Sequence, residues 1–273
     1  MIILSIIRMF RVPKSPAHLS RRKLSDQVVD RVKSWLMAKS MQPGDRLPQE
    51  KELLDLLGVS RSTLREALKS LEVQGIIRVS AGRSGGPSVC EVPYETAANL
   101  LTNYFYFKKL QADEIYAMRR LLEPEMAATA VAHMRDEDLD RLEELIEACR
   151  NPEDSPEGRR SQRLLELEFH NVIARRSPNA LLSFNCQFIN MILAQQVTIK
   201  KVYLIRQDKI DRENDDAHVE LLAAFRAGDA AHVREAMVRH MGECSCHLND
   251  LEAVVHQRFG DAVADGPIPD FTR

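Results

Sequence analysis

From Tyr94 onward, apolar residues return at three- and four-residue spacing, and no convincing two-residue alternation interrupts them. The helical segments span about 95–108, 111–134, 136–150, 160–176, 179–205, 207–227 and 229–257. This periodicity restricts the larger part of the chain to packed helices. Composition agrees: Leu, Ala, Glu, Arg and Met are abundant and aromatic residues make up only 5%. Asp136, Asn179 and Asp229 are predicted N-caps, and "NPEDSPEGR" (151–159) reads as a loop. Residues 259–273 read as a tail.

The first 92 residues follow a different pattern. Leu24, Val28, Val32, Trp35 and Leu36 mark an amphipathic helix that Pro43-Gly44 stops. "QEKELLDLLG" predicts a short second helix closed by Gly58, and Ser60 is placed to cap a third, "RSTLREALKSLEVQG". In that third helix Leu64, Ala67, Leu68 and Leu71 share one face, while Arg61, Ser62, Thr63 and Arg65 crowd its first turn. Two β-rich runs, Ile76–Ser80 and Ser88–Val92, then flank "AGRSGG" and predict a hairpin. The expected fold is therefore mainly α: an N-terminal winged helix-turn-helix over 20–92, then an all-helical bundle over 95–258.

Charge separates the two parts. Residues 1–92 carry 16 Lys and Arg against 9 Asp and Glu, whereas residues 93–273 carry 22 against 31. A basic first module suggests a polyanion partner. Arginines at a helix N-terminus suit it to double-stranded DNA, because that end favours phosphate and a guanidinium reads guanine bidentately. The glycines of the hairpin tip allow close backbone approach to a groove, and Arg83 stands among them.

The start of the chain, "MIILSIIRMF", is apolar but far shorter than a membrane helix. Arginines follow it and no small-residue cleavage site does, so residues 1–19 read as an extension rather than a signal peptide, and no membrane partner is expected. Five cysteines form no disulfide framework, which points to a reducing cytoplasm. Cys244-x-Cys246 near His240 and His247 lacks the second pair of a zinc knuckle.

The stretch "PGDRLPQEKELLDLLGVSRSTLREALKSLEVQGIIRVSAGRSGG" resembles the DNA-binding domain of the GntR family of bacterial transcription regulators. The resemblance implies DNA contacts from Arg46, Arg61, Thr63 and Arg65, and from the wing at Arg83, Gly85 and Gly86. Gln49 stands where the family usually has a capping serine, and Lys51 where arginine is common.

Within the helical part, Glu166 and His170 lie one turn apart in "LELEFHNVIARR", and His218 and His240 sit on two later amphipathic segments. Taken alone, three such histidines read more readily as satisfied core or surface residues than as a shared site. However, "MRRLLEPEMAA", "LELEFHNVIARRSPN" and "HVELLAAFRAGDAAHVREAMVRH" resemble the FCD domain, the helical ligand-binding domain of FadR-type GntR regulators. The resemblance implies a divalent transition metal, zinc or nickel, on Glu166, His170, His218 and His240, with Glu166 replacing the usual aspartate. It also implies that Arg119 faces the cavity and clamps the carboxylate of a small organic acid. The alternative for Arg119 is an ion pair with Glu123. His18, His133, His232, His247 and His256 read as surface residues.

Together these readings describe a homodimeric, cytoplasmic repressor with a DNA operator and an acid effector as partners. Two alternatives stay open: a metalloregulator whose signal is the metal, and a metal-dependent hydrolase. Against the enzyme stands the lack of a nucleophile motif, of His-Glu-x-x-His and of a phosphate loop.

Overall fold

The structure is a computed structural model and describes residues 22–82, 85–105, 108, 110–150, 153–200 and 208–259; side chains at 112, 196, 198–200, 208 and 245–259 are outside that description. Two compact units divide between Ala97 and Ala98. The expected extension 1–19, Arg83, His18 and the last residues of the tail lie outside the described residues, as do the side chains of Cys246, His247 and His256.

In the first unit, α1 (Leu24–Ala38), α2 (Glu50–Leu57) and α3 (Arg61–Val73) precede a hairpin of β1 (Ile77–Ser80) and β2 (Gly86–Val89). Helix α3 packs on α1, α2 and β1. The predicted inner face of α3 is the core: Leu64, Ala67 and Leu71 are fully buried beside Val28, Val32, Leu53 and Ile77. Leu24, expected inside, is 52% exposed, and Val29 takes the buried position instead. The turn between α2 and α3 forms because Gly58 ends α2 at φ +65, and the Ser60 side chain then accepts from the Thr63 N–H at 3.2 Å.

The second strand lies two residues earlier than the predicted Ser88–Val92. The cause is pairing on both of its edges. Ile77 opposes Val89 across the hairpin, while on the other side Leu47 N–H donates to Pro87 O at 2.9 Å and Val89 N–H to Asp45 O at 2.8 Å. The segment that stops α1 is thus the third edge of the wing.

The second unit holds α4 (Tyr94–Phe105, which begins before the division), α5 (Ala112–Ala130), α6 (Asp136–Arg150), α7 (Pro156–Ala174), α8 (Ala180–Lys200), α9 (Asp208–Arg226) and α10 (Ala230–Phe259). All seven predicted segments appear as helices. Helix α5 continues through Pro124 and packs along α10, α8 and α7; α6 packs on α7 and α9; α9 packs on α10. Asn179 and Asp229 cap as expected, each side chain accepting two backbone N–H groups of the following turn. Asp136 does not: it is the first helical residue, and Asp138 accepts the Arg135 N–H at 2.9 Å. Helix α7 starts earlier than predicted because Ser155 accepts from Gly158 N–H at 3.0 Å with Pro156 behind it. Phe169, Leu142, Leu145, Ile173, Leu221, Met126, Met237 and Met241 form the buried core.

Leu71 is fully buried in the first unit. Leu71→Ala is expected to destabilise that unit by about 2–5 kcal/mol, read as a lower urea midpoint with an unchanged slope.

Candidate metal centre and nucleic-acid interface

Three helices of the second unit each turn one imidazole toward the same buried point. His170 on α7, His218 on α9 and His240 on α10 are 2%, 3% and 2% exposed. Their Nε2 atoms are separated by 3.4 Å (His170 to His218), 3.1 Å (His218 to His240) and 3.3 Å (His240 to His170). The rings of His170 and His240 lie parallel, with His218 crossing both edge-on. Phe169 stacks on His218 at 3.9 Å between centroids and fixes that ring's plane.

This spacing fits a metal. Imidazole nitrogens bind zinc at about 2.0–2.1 Å, which separates ligands of one tetrahedral or octahedral ion by roughly 3.0–3.4 Å. Three neutral histidines cannot all hydrogen-bond one another through the same nitrogens, whereas three lone pairs converging on one cation satisfy all of them. Among the described residues these three form the group able to hold an ion.

The electrostatics keep the imidazoles neutral. Burial pushes the pKa values of His218 and His240 well below the ordinary range, helped by the neighbouring imidazoles and Arg119. Burial also lowers that of His170, against an opposing pull from Glu123. Glu123, on α5 and 1% exposed, brings Oε2 within 2.7 Å of His170 Nδ1. That carboxylate oxygen is close enough to favour the ring proton on Nδ1, which would leave the Nε2 lone pair for the cluster, but the contact lacks hydrogen-bond geometry. Burial would raise the Glu123 carboxyl, but Arg119 and His170 outweigh it and hold it at about 2. At His240 the Nδ1 side faces Cys244 Sγ at 3.7 Å, and that thiol, which burial pushes up to about 12, donates to Asn214 Oδ1 at 3.5 Å.

Arg119 combines the two roles the sequence left open. It is 2% exposed and donates from Nε to Glu123 Oε1 at 2.6 Å, so the i,i+4 pair exists, but in the interior. Its Nη2 is buried without a hydrogen-bond partner among the described residues. Arg120 is exposed, as are His133 and His232, the latter paired with Glu220.

Glu166 stands apart from the other three expected ligands in this arrangement. It does not join the three histidines. Both of its carboxylate oxygens accept from Arg163 Nη1, at 3.0 and 2.8 Å, one turn toward the helix N-terminus. Helical side chains lean in that direction, which takes Glu166 toward Arg163 rather than His170. Glu123 approaches the cluster instead, from a helix far away in sequence.

In the first unit, Arg61 and Arg65 project from the first turn of α3 with side chains 70% and 66% exposed, and no acidic residue shares that turn. Glu50 gathers both: its Oε1 lies 3.4 Å from Arg61 Nε and 3.2 Å from Arg65 Nε. Thr63 is part of the helix cap, its hydroxyl 2.8 Å from that of Ser60. Exposed Arg46 bridges to Ser88 on β2. Gln49 does more than replace a cap. Its N–H donates to Glu52 at 3.1 Å, and its side chain donates to Gly85 O at 2.9 Å, tying α2 to the wing. A Cβ on Gly85 would come within 2.3 Å of Ser80 O, so the tip admits no side chain there. The sequence singled out neither Glu50 nor this tie.

A basic winged helix followed by a helical unit with a buried histidine centre defines the class: a two-part bacterial regulator. Residues 24–85 match "Bacterial regulatory proteins, gntR family" and residues 114–243 match the "FCD domain". The chain belongs to the GntR family and carries an FCD domain. It is 31% identical to the HTH-type transcriptional regulator YcbG of Bacillus subtilis over 59% of this chain and 65% of that one. It is 25% identical to the HTH-type transcriptional regulator LutR of Bacillus subtilis over 74% of this chain and 90% of that one. The HTH-type transcriptional repressor NanR of Cronobacter sakazakii is 24% identical over 82% and 84%. A solved structure, Streptococcus agalactiae GntR, superposes with a TM-score of 0.57 at 25% identity, covering 82% of this chain and all of that one. These relatives are transcription regulators, not enzymes. No helix among the described residues is long and apolar enough to cross a membrane.

The lowered imidazole pKa values carry a sign. A histidine whose folded pKa lies below its unfolded value of about 6.5 stabilises the fold above that pH, and the stability is lost as pH falls toward the folded pKa. Metal-free protein is therefore expected to lose melting temperature between pH 7.5 and 5.5. His218→Gln should lose less over the same window; an equal loss would remove His218 from the effect.

Proposed function

We propose that this chain is a DNA-binding transcription repressor whose operator affinity is set by a small carboxylate effector held at a metal centre in the FCD domain. The observation that carries the reading is the convergence of three buried Nε2 atoms at 3.1–3.4 Å. His170, His218 and His240 would hold zinc or nickel there. A bound divalent ion supplies a Lewis-acidic attachment point for a carboxylate oxygen. Arg119 Nη2, buried and unsatisfied, is the donor suited to the effector's other oxygen. Repression is the mode named for NanR, a relative matched over 82% of this chain and 84% of its own.

At the other end, Arg61 and Arg65 reach bases or phosphates from the head of α3, while Arg46 and the wing at Gly85 and Gly86 flank the groove. A twofold dimer would read two half-sites of a palindrome. The effector acts only through different affinities for two arrangements of the protein. A metal that is itself the signal remains the second reading, because the same three histidines would serve it.

Two experiments test this. Arg65→Ala should weaken binding to an operator selected from genomic fragments by about 5- to 150-fold, the value of one bidentate base contact of about 1–3 kcal/mol; unchanged affinity in anisotropy titrations removes Arg65 from recognition. His218→Ala should abolish stoichiometric zinc or nickel in plasma mass spectrometry and the acid-induced release from DNA, yet keep effector-free operator binding. Release by metal alone, with no acid present, would favour the metalloregulator.

A further inference from the structure

Glu166 occupies the position that the FCD resemblance assigns to the carboxylate ligand, yet its side chain is committed elsewhere. Arg163 Nη1 donates to both of its oxygens, at 3.0 and 2.8 Å, and Nη2 of the same guanidinium bonds Asp211 on α9. The three side chains are 12% (Arg163), 13% (Glu166) and 22% (Asp211) exposed, so water does little to replace these charge-assisted contacts. The negative charge beside the histidines comes instead from Glu123, 1% exposed and 2.7 Å behind His170.

We propose that the metal centre of this chain is a three-histidine centre, with Glu166 held out of the coordination shell by Arg163 and Asp211 and with Glu123 balancing the ion from behind His170. The proposal rests on the metal reading above and concerns which residues make the shell. For Glu166 to coordinate, it would have to leave Arg163, whose guanidinium would keep only Asp211. The charge it would bring is already supplied by Glu123. Three histidines would leave further coordination positions of a bound ion to an effector or water, without displacing a protein carboxylate.

The test is zinc and nickel affinity of the full-length, chelator-stripped protein, measured by competition with a chromophoric chelator. Glu166→Gln should bind within about threefold of wild type, while His218→Ala should lose about a hundredfold or more, beyond the roughly 10- to 100-fold typical of outer-shell changes. A loss of about tenfold or more in Glu166→Gln, with a metal-free melting curve matching wild type, overturns the proposal and leaves the metal reading standing. Arg163→Gln is the second variant, in case the first folds poorly. Unchanged or tighter binding supports the proposal; a loss of about tenfold or more, as expected were Arg163 positioning a coordinating Glu166, overturns it. A wild-type chain that takes up neither zinc nor nickel overturns the metal reading and this proposal with it.

Discussion

The buried line Arg119–Glu123–His170 is the constraint on which the helical unit turns. Its three side chains are at most 3% exposed and come from α5 and α7. Isolated, the guanidinium or the carboxylate would be expensive in such a place; paired at 2.6 Å, each offsets part of the other's desolvation cost. A wholly apolar substitute would pack as well and could be more stable. What the ionic line provides in addition is orientation. A carboxylate beside Nδ1 favours the proton on that nitrogen of His170, which would leave Nε2 facing His218 and His240 as an acceptor. Charge buried in α5 thus becomes geometry in α7.

The rest of the unit converts that geometry into a site. His170 follows Phe169 on α7, and Phe169 belongs to the same core as Leu142, Leu145 and Ile173. The ring that fills the core also stacks on His218, so packing and ligand orientation share one side chain. His240 lies between Met237 and Met241, both fully buried. The imidazoles therefore have little rotational freedom, and a cation entering among them meets ligands already arranged. In the proposed reading the ion joins α7, α9 and α10, and its binding energy adds to the fold of this unit.

Much of this was legible in the sequence, and the exceptions share a cause. Periodicity located every helix of the second unit, because apolar spacing is a local property that survives any arrangement of neighbours. It also identified the inner face of α3 and the exposed arginines at its head. The histidines came together only through resemblance, since spacing along a chain does not say which helices meet. Contacts between elements distant in sequence were the ones misread. Glu123 was visible only as an i,i+4 partner of Arg119, and its approach to His170 needs α5 beside α7. Glu166 was read as facing the histidines, whereas here it accepts from Arg163, which is as near along the helix as His170. In the first unit, the bounds of the second strand were misread because residues 45–47 dock on β2, and the Gln49 tie to Gly85 spans the same gap.

Arg119 gives the site a property that neither the pair nor the cluster has alone. One nitrogen of its guanidinium is bound by Glu123, and another is buried without an acceptor among the described residues. Glu123 in turn sets His170. An anion drawn to that free nitrogen therefore meets a group already coupled, through one carboxylate, to a metal-facing imidazole. In the proposed reading, effector and metal are not independent occupants: whatever weakens the Arg119–Glu123 contact strengthens the pull of Glu123 on the His170 proton and alters that ligand's basicity. By reciprocity, a metal that draws on His170 shifts the affinity of Arg119 for an anion by the same factor. The direction in which operator affinity responds then depends on how this helical unit differs between its two arrangements. In that reading the acid and the metal are coupled whichever direction that is.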